Sequence, residues 1–457
     1  MIIDSADVLL INSPSPNPGA ILSHRIQGLI PLGIGYIATV LNQNGFHAKL
    51  MDFYLKNVSR QTLIDFIEEY HPRVIGISTT TETYKNGLRL AEIIKSADRN
   101  IYVVMGGYHV TFEYEDALLS GAVDFVVRGE GEMTFLDLCR YIIHGEGKLE
   151  SIDGISYFKE DTVISNADRK FICDLDKLPF PDRSLYDLKS YSVPCSISTS
   201  RGCPGRCIFC AASGLSGGKY RIRSAKNVVE EFEYLKGLGF DRVQIIDDTM
   251  TANLRRLDEF ITIMLDRNLD MLWACESRVD VVSKPLLQRM YAAGCRSLQF
   301  GVEAGSQEML DCLKKHITLE QIRNVFHWCH EIGIHASSCL IIGQPYDTPE
   351  TIQQTVQIGL ELQQLGAQIV FSISTPYPGT YMYNNTAELG LEIIDFDTDN
   401  YTTQKAVYNT KNLSAIEIQN YFFDACISVG RTLTNSNLRE KYKLIREEAM
   451  VNTPNHN

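Results

Sequence analysis

No segment of this chain is apolar for the ~18 residues that a helix needs to cross a bilayer, and its first residues show no basic stretch followed by an apolar one. The protein is therefore expected in the cytoplasm, without a membrane span. Basic charge is in deficit: 43 Lys and Arg stand against 56 Asp and Glu, a formal charge of −13. A surface that neutralises phosphates needs clustered cations, so nucleic acid is excluded as the main partner. The short group Lys219, Arg221 and Arg223 reads as a solvated face or an anion contact. The fingerprint G-x-G-x-x-G is missing after the first strand-like run, which removes the dinucleotide reading. A disulfide framework is missing too, because nine of the twelve cysteines lie singly along the chain. What remains, 44% apolar and 22% charged over 457 residues, is globular protein with room for two or three cores.

The other three cysteines stand together in Ser200-Arg201-Gly202-Cys203-Pro204-Gly205-Arg206-Cys207-Ile208-Phe209-Cys210, spaced C-x3-C-x2-C. Soft thiolates converging on one Gly/Pro loop select an iron–sulfur cluster, zinc or Cu(I). Structural zinc closes with four ligands, and no second cysteine pair follows Cys210. Three buried structural cysteines would be out of place in so polar a loop. A cubane cluster has four irons, so three cysteines leave one iron open for chemistry. This motif, with an aromatic residue before its last cysteine, resembles the cluster signature of the radical S-adenosylmethionine enzymes. The resemblance implies a [4Fe-4S] cluster on Cys203, Cys207 and Cys210. In that family the open iron chelates S-adenosylmethionine, and one electron cleaves it to a 5′-deoxyadenosyl radical. Phe209 then belongs to the cofactor site.

Residues 1–145 alternate β-branched runs with helical segments: strands at Asp7–Asn12, Phe46–Phe53, Arg73–Ser78, Ile101–Gly106 and Asp124–Arg128 are separated by four helices and followed by a fifth. Such alternation predicts an α/β, doubly wound parallel sheet, with its ligand beyond the carboxyl ends of the strands. Gathered there are Ser78–Thr81, Gly106–His109, Gly129–Glu132 and the loop from Asn12 to Gly19. Pro31-Leu32-Gly33-Ile34-Gly35-Tyr36, Gly106-Gly107-Tyr108-His109 and Arg128-Gly129-Glu130-Gly131-Glu132 resemble the cobalamin-binding domain that precedes the radical domain in one subgroup of these enzymes. Ser78, Gly106, Gly107, His109, Gly129 and Glu130 are the residues it would place at cobalamin. Relatives of the mutase type put a histidine on cobalt from D-x-H-x-x-G, whereas this chain has Asn12-Ser13-Pro14-Ser15-Pro16-Asn17 after the first strand. The expectation is cobalamin with no histidine beneath cobalt, His24 and His109 being the alternatives. The plainer reading is a folded spacer without cofactor.

Residues 146–190 read as a connector with a small hairpin, Gly154–Tyr157 and Thr162–Ile164, and a Pro-broken segment Asp174–Arg183. From 191 to 385, six strand-then-helix units are expected, with strands Cys195–Ser200, Arg242–Asp247, Met271–Ser277, Ser297–Val302, His335–Ile342 and Gln368–Ser374. They predict a partial (β/α)6 barrel with chemistry at the carboxyl ends of its strands, and the cysteines fall just after the first. The resemblance implies that the other ends hold S-adenosylmethionine: Asp247 and Asp248 at its amino group, Arg278 at its carboxylate, Glu303 at the ribose, Gly343 beside adenine. The family usually has Glu in the Gly343 loop; this chain offers Asp347, a candidate acid or a capping residue. Residues 386–457 read as a helical cap, with helices near Ala415–Ile427 and Asn437–Met450 and a polar tail, and contain only Cys426.

The resemblance implies an enzyme that uses a [4Fe-4S] cluster, S-adenosylmethionine and cobalamin, with radical methyl transfer to an unactivated carbon of a small molecule as the leading reaction. Cobalamin-dependent cyclisation, ring contraction or dehydration is the second reading. An iron–sulfur electron-transfer or sensing protein is the reading from another class. Either enzyme needs an external one-electron reductant of the flavodoxin or ferredoxin type.

Overall fold

A computed structural model of the chain describes residues 6–16, 28–55 and 58–432. The chain folds as two compact units. One comprises the chain up to Ser198 with Arg221–Arg223 and Asp397–Asp399; the other takes Thr199–Tyr220, Ser224–Phe396 and the chain from Asn400.

In the first unit β1 (Val8–Asn12), β2 (Ala48–Asp52), β3 (Val74–Ser78), β4 (Tyr102–Gly106) and β5 (Phe125–Val127) pair in parallel in the order 2-1-3-4-5. Apart from β2 at the edge, these strands are largely buried because helices cover both faces, which is why they read as continuous apolar runs rather than alternating ones. The main crossovers are α1 (Leu32–Gln43), α2 (Arg60–Tyr70), α3 (Tyr84–Ala97), the short α4 (Tyr108–Phe112) and α5 (Glu115–Leu119), and α6 (Gly131–Cys139). The single helix expected near Tyr114 is thus two. Two apolar layers result, one around Leu10, Phe46 and Phe135 and the other around Leu9, Leu63 and Ile94. The order reverses between β1 and β3, so the crevice for a ligand opens at their carboxyl ends.

The hairpin foreseen in 146–190 forms as β6 (Ile155–Lys159) and β7 (Thr162–Ser165), but it does not stand between two domains. β6 pairs antiparallel with β5, and β7 with β6, extending the first sheet to seven strands. Without it β5 would be an edge with unpaired backbone groups.

Three two-residue strands follow, β8 (Ser196–Ile197), β9 (Ser200–Arg201) and β10 (Arg221–Ile222). The continuous strand expected over Cys195–Ser200 is broken because the Thr199 backbone N–H donates to Asp247 Oδ1 (2.6 Å) instead of to a sheet partner. The second unit then lays down β11 (Arg242–Ile245), β12 (Leu272–Ser277), β13 (Cys295–Glu303), β14 (His335–Ile342) and β15 (Gln368–Ile373) in chain order, each parallel to the next. These five strands form an open parallel sheet, a partial barrel. Between the strands lie α7 (Ala211–Ser216), α8 (Ala225–Gly237), α9 (Leu254–Asp266), α10 (Lys284–Ala292), α11 (Gln307–Cys312), α12 (Leu319–Ile332) and α13 (Pro349–Gln364).

The helix starts follow the local sequence: the Ser224 side chain accepts from Asn227 N, and Thr348 forms a capping box with Thr351 ahead of Pro349. The helix foreseen near Ala415 spans Ala415–Thr432. The one foreseen at Asn437–Met450, the tail beyond it and His24 lie outside the described residues.

Candidate active site

The cysteine loop is held by its neighbours at mid-length. Ile208 N donates to Leu313 O (3.3 Å) and Ile208 O accepts from Met382 N (2.9 Å), so a buried Ile208 pins the loop from both sides. Cys210 N donates to Cys207 O (3.1 Å), which turns the chain into α7 with Cys210 as its N-cap residue. Gly205 sits in the bend. A Cβ there would lie 3.3 Å from Cys203 Sγ, 3.5 Å from Arg278 Nη1 and 4.0 Å from Cys207 Sγ, so only a residue without a side chain leaves this cradle open.

Among the described residues no three His, Cys, Asp or Glu side chains meet at a point suited to a single metal ion. A cubane, unlike a single ion, takes one thiolate at each of three corners. Burial pushes the thiols up, Cys210 to about 11, while the Gly205 N–H opposes this at Cys203 and the Lys315 charge opposes it at Cys207. Iron takes the place of those protons when it binds. Three thiols on one bend, an open cradle and nearby cations fit a [4Fe-4S] cluster.

Around the loop stand the residues singled out at the strand ends. Asp247 is buried and fully engaged: it accepts from Thr199 N, from the Thr199 hydroxyl and from Ser200 Oγ (2.7 Å), and thereby sets the approach to Cys203. Asp248 reaches solvent, though crowding by protein on one side raises its pKa, with the Asp247 charge adding and the Gly202 N–H opposing. Arg278 uses its fork on Asp280, with Nε and Nη2 each 2.9 Å from a carboxylate oxygen, and Nη2 also donates to Lys315 O (2.8 Å). Its Nη1 is the nitrogen aimed at the Gly205 cradle.

Glu303 sits in left-handed backbone (φ 66°) at an irregularity in the β13–β14 register, and its Oε1 lies 2.7 Å from Lys315 Nζ. A glutamate held at positive φ is strain of the kind that collects at working sites. Lys315 is the residue that the sequence reading missed. It belongs to a Lys314-Lys315-His316 run with no motif spacing, and only the fold turns its ammonium inward beside Cys207.

Gly343 also has positive φ; Ile418 fills the side from which a side chain would project, and the Tyr408 hydroxyl donates to its carbonyl. Asp347 accepts from Gln344 N and Thr351 Oγ1, both at 2.8 Å, so it ties down its own turn, and burial pushes its pKa up to about 6. Phe209 is half-buried on the cysteine loop.

In the first unit, Ser78 ends β3 and its carbonyl accepts from Ser13 N (3.2 Å), which sets the floor of the β1/β3 crevice. Gly106 O accepts from Thr79 N (2.9 Å), and Gly107, at φ 107°, lies so close to the Thr79 carbonyl that a side chain there would collide with it. Gly129 N donates to Thr111 Oγ1 (3.0 Å) and keeps an open flank. Glu130 is committed within the protein: both its oxygens accept from Arg221 Nη1 (2.8 and 2.9 Å), and Oε2 also accepts from Ile172 N (2.8 Å).

His109 is 5% exposed, packs against Tyr84 with ring centroids 4.3 Å apart, and places Nδ1 3.4 Å from Thr81 Oγ1. Burial lowers its pKa to about 4, so it is a neutral ring of the interior. An unfolded chain takes up this proton near pH 6.5, whereas the folded chain refuses it until about pH 4. Stability should therefore fall as pH drops through that window, by roughly 3 kcal/mol in all at ~1.4 kcal/mol per unit. A His109→Gln variant should flatten the slope in denaturant titrations across the window; an unchanged slope would show that another group carries it.

Two family models match the chain, the B12 binding domain over residues 20–139 and the radical SAM superfamily over residues 197–358. An uncharacterized methyltransferase of Pyrococcus horikoshii is 31% identical over 404 residues, 87% of each chain. The anaerobic magnesium-protoporphyrin IX monomethyl ester cyclase of Rubrivivax gelatinosus is 28% identical, over 82% of this chain and 69% of that protein. The fold is also that of a solved radical S-adenosylmethionine methyltransferase, TsrM from Kitasatospora setae, at a TM-score of 0.73 and 18% identity over 95% of this chain and 90% of that one. This chain belongs to the radical S-adenosylmethionine family, in the group that carries a B12-binding domain. It is an enzyme whose cofactors are a [4Fe-4S] cluster, S-adenosylmethionine and cobalamin. Such an enzyme requires a reductant and a substrate. Among the described residues no helix is long and apolar enough to cross a membrane.

Proposed function

We propose that the protein transfers a methyl group from cobalamin to an unactivated carbon of a small molecule by radical chemistry, in the cytoplasm, with electrons from a flavodoxin- or ferredoxin-type donor and no nucleic acid involved. One observation carries the reading: a cobalamin-type crevice and a three-cysteine loop flanked by Arg278 and Lys315 are built into one chain. The bound cofactors supply the electron, the radical and the methyl group. The protein's part is to seat them. Arg278 Nη1 and the Lys315 ammonium offer cations for the carboxylate of S-adenosylmethionine, Asp248 offers a carboxylate for its amino group, and Glu303, kept in place by Lys315, offers an acceptor to its ribose. Phe209 and Gly343 complete that seat from the cysteine loop and the β14 end, and Asp247 acts beneath it through Thr199 and Ser200. Ser78, Gly106, Gly107 and Gly129 line the crevice for cobalamin, while His109 and Glu130 support its walls.

Similarity to a cyclase favours cobalamin-dependent cyclisation as the second reading. The two separate by stoichiometry. Methyl transfer consumes one S-adenosylmethionine to make the radical and another to replace the methyl group. Reduced enzyme with substrate should thus release 5′-deoxyadenosine and S-adenosylhomocysteine in near-equal amounts. Deoxyadenosine and product without S-adenosylhomocysteine would establish cyclisation instead.

A further inference from the structure

The buried face of α9 runs Arg256, Leu257, Phe260, Ile261 and Met264. At helical spacing this is one stripe, and every position but the first is apolar. Arg256 is only 3% exposed. It also stands in the first turn, where the Asn253 side chain accepts from its N–H (3.0 Å) and the helix presents the positive end of its dipole. A cation there is opposed both by desolvation and by the dipole, and a leucine would complete the stripe without either cost. Stability alone therefore does not call for an arginine at this place.

What the guanidinium does is join two loops. Nη1 donates to Thr199 Oγ1 and Nη2 to Met250 O, both at 2.8 Å. Nε is buried without an acceptor, so those two bonds set the position of the fork at the expense of its third donor. Thr199 opens the segment that leads to Cys203, and Met250 lies two residues beyond Asp248. The Thr199 hydroxyl in turn donates to Asp247 Oδ2, as does Ser200 Oγ, so a buried cation and a buried carboxylate meet through one hydroxyl. Tyr220 ties into the same loop by donating to Thr249 O (3.1 Å). On the other side, Asp248 itself accepts from the Gly202 N–H. The cysteine loop and the Asp248 loop are thus fixed to each other twice, once through Gly202 and once through Arg256.

We propose that Arg256 is a positioning residue for S-adenosylmethionine: by holding Thr199 and Met250 together it keeps the Asp248 carboxylate at the distance from the cysteine loop where it meets the amino group of that molecule. Buried behind both loops, Arg256 acts through Asp248. Its contribution is to binding and not to cluster assembly, because the cysteine loop keeps its own anchor in the backbone bonds of Ile208 to Leu313 and Met382. A lysine at this position would carry the charge but not the planar fork that spans two acceptors. The proposal rests on the radical reading for the identity of the bound molecule.

The test uses the full chain with its cluster reconstituted and titrates S-adenosylmethionine by calorimetry before reduction, so that binding is read without turnover. Arg256→Lys should keep its full cluster iron and bind about tenfold more weakly, the scale of loss usual when the partner behind a ligand-holding side chain is removed. Asp248→Asn should show a loss of similar size. Because the two residues act as a unit, the double variant should bind no more weakly than the weaker single one, whereas independent effects would multiply to about a hundredfold. A merely structural role would lower the unfolding temperature without producing that coupling. Thr199→Val should reproduce the loss, and Thr199→Ser should restore binding by returning the hydroxyl. Should Arg256→Lys fail to fold, the two Thr199 variants, each combined with Asp248→Asn, decide the matter. Multiplying losses, wild-type affinity in Arg256→Lys, or equal binding by the two Thr199 variants overturns the proposal. A wild type that carries its cluster but binds no S-adenosylmethionine removes the radical reading and this role with it; a wild type that binds while the variants show no coupling removes the positioning role alone.

Discussion

Replacing Cys203, Cys207 and Cys210 together by Ala should remove the broad visible absorbance of the iron–sulfur cluster and reduce S-adenosylmethionine cleavage to background. The other nine cysteines cannot substitute. Six of them are buried, Cys139, Cys195, Cys275, Cys295, Cys329 and Cys426, and burial drives the thiols of Cys139, Cys275, Cys295, Cys329 and Cys426 away from the thiolate form that iron requires. The bend itself should survive, because Ile208 anchors it through backbone bonds to Leu313 and Met382 that no cysteine side chain makes. A triple variant that keeps a full complement of cluster iron would overturn the assignment of this loop.

The second large effect is expected at Lys315. Lys315→Met removes one partner of an ion pair whose side chains are only 8% and 9% exposed, leaving the Glu303 charge buried without compensation. Breaking a buried pair in this way typically costs about 3–5 kcal/mol. For a unit of this size that is a fall of roughly 10 °C in the unfolding temperature. Replacing both residues, Lys315→Met with Glu303→Met, removes the stranded charge and should recover most of the loss, since paired burial contributes little net stability. Activity should not return, because the double variant lacks both the cation beside Cys207 and the acceptor at the β13 end. Calorimetry and deoxyadenosine release on the two variants separate these roles. If Lys315→Met melts like wild type, the pair is not the buried unit described here.

Much of this was legible from residue order alone. Three thiols within eight residues point to a metal–sulfur centre without a fold, since spacing along the chain bounds spacing in space, and the resemblance of the motif to a known family narrows that to a [4Fe-4S] cluster. The first domain was legible because strands buried on both faces are apolar at every position, and β1, β3 and β4 stand out against their helices. Arg278, Glu303 and Asp248 could be placed at one rim because a parallel β/α repeat gathers the carboxyl ends of its strands.

What sequence order could not assign is which partner each polar group takes. Asp247 and Asp248 are adjacent and chemically identical, yet one is spent on Thr199 and Ser200 and the other reaches solvent. Glu130 and His109 sit in the loops foreseen for cobalamin, but tertiary packing commits Glu130 to Arg221 and Ile172 and buries His109 against Tyr84. The hairpin at 155–165 looked like a connector because its length and turn say nothing of which edge it will cap. Lys315 is invisible in one dimension for the same reason: its ammonium meets Glu303 only when the turn after α11 folds back on the end of β13. Local order, with the motifs that carry the resemblance, therefore determined the cofactor chemistry and the succession of elements. Tertiary structure alone decided which charges are paired, because pairing depends on distances that the chain acquires only when its sheets close.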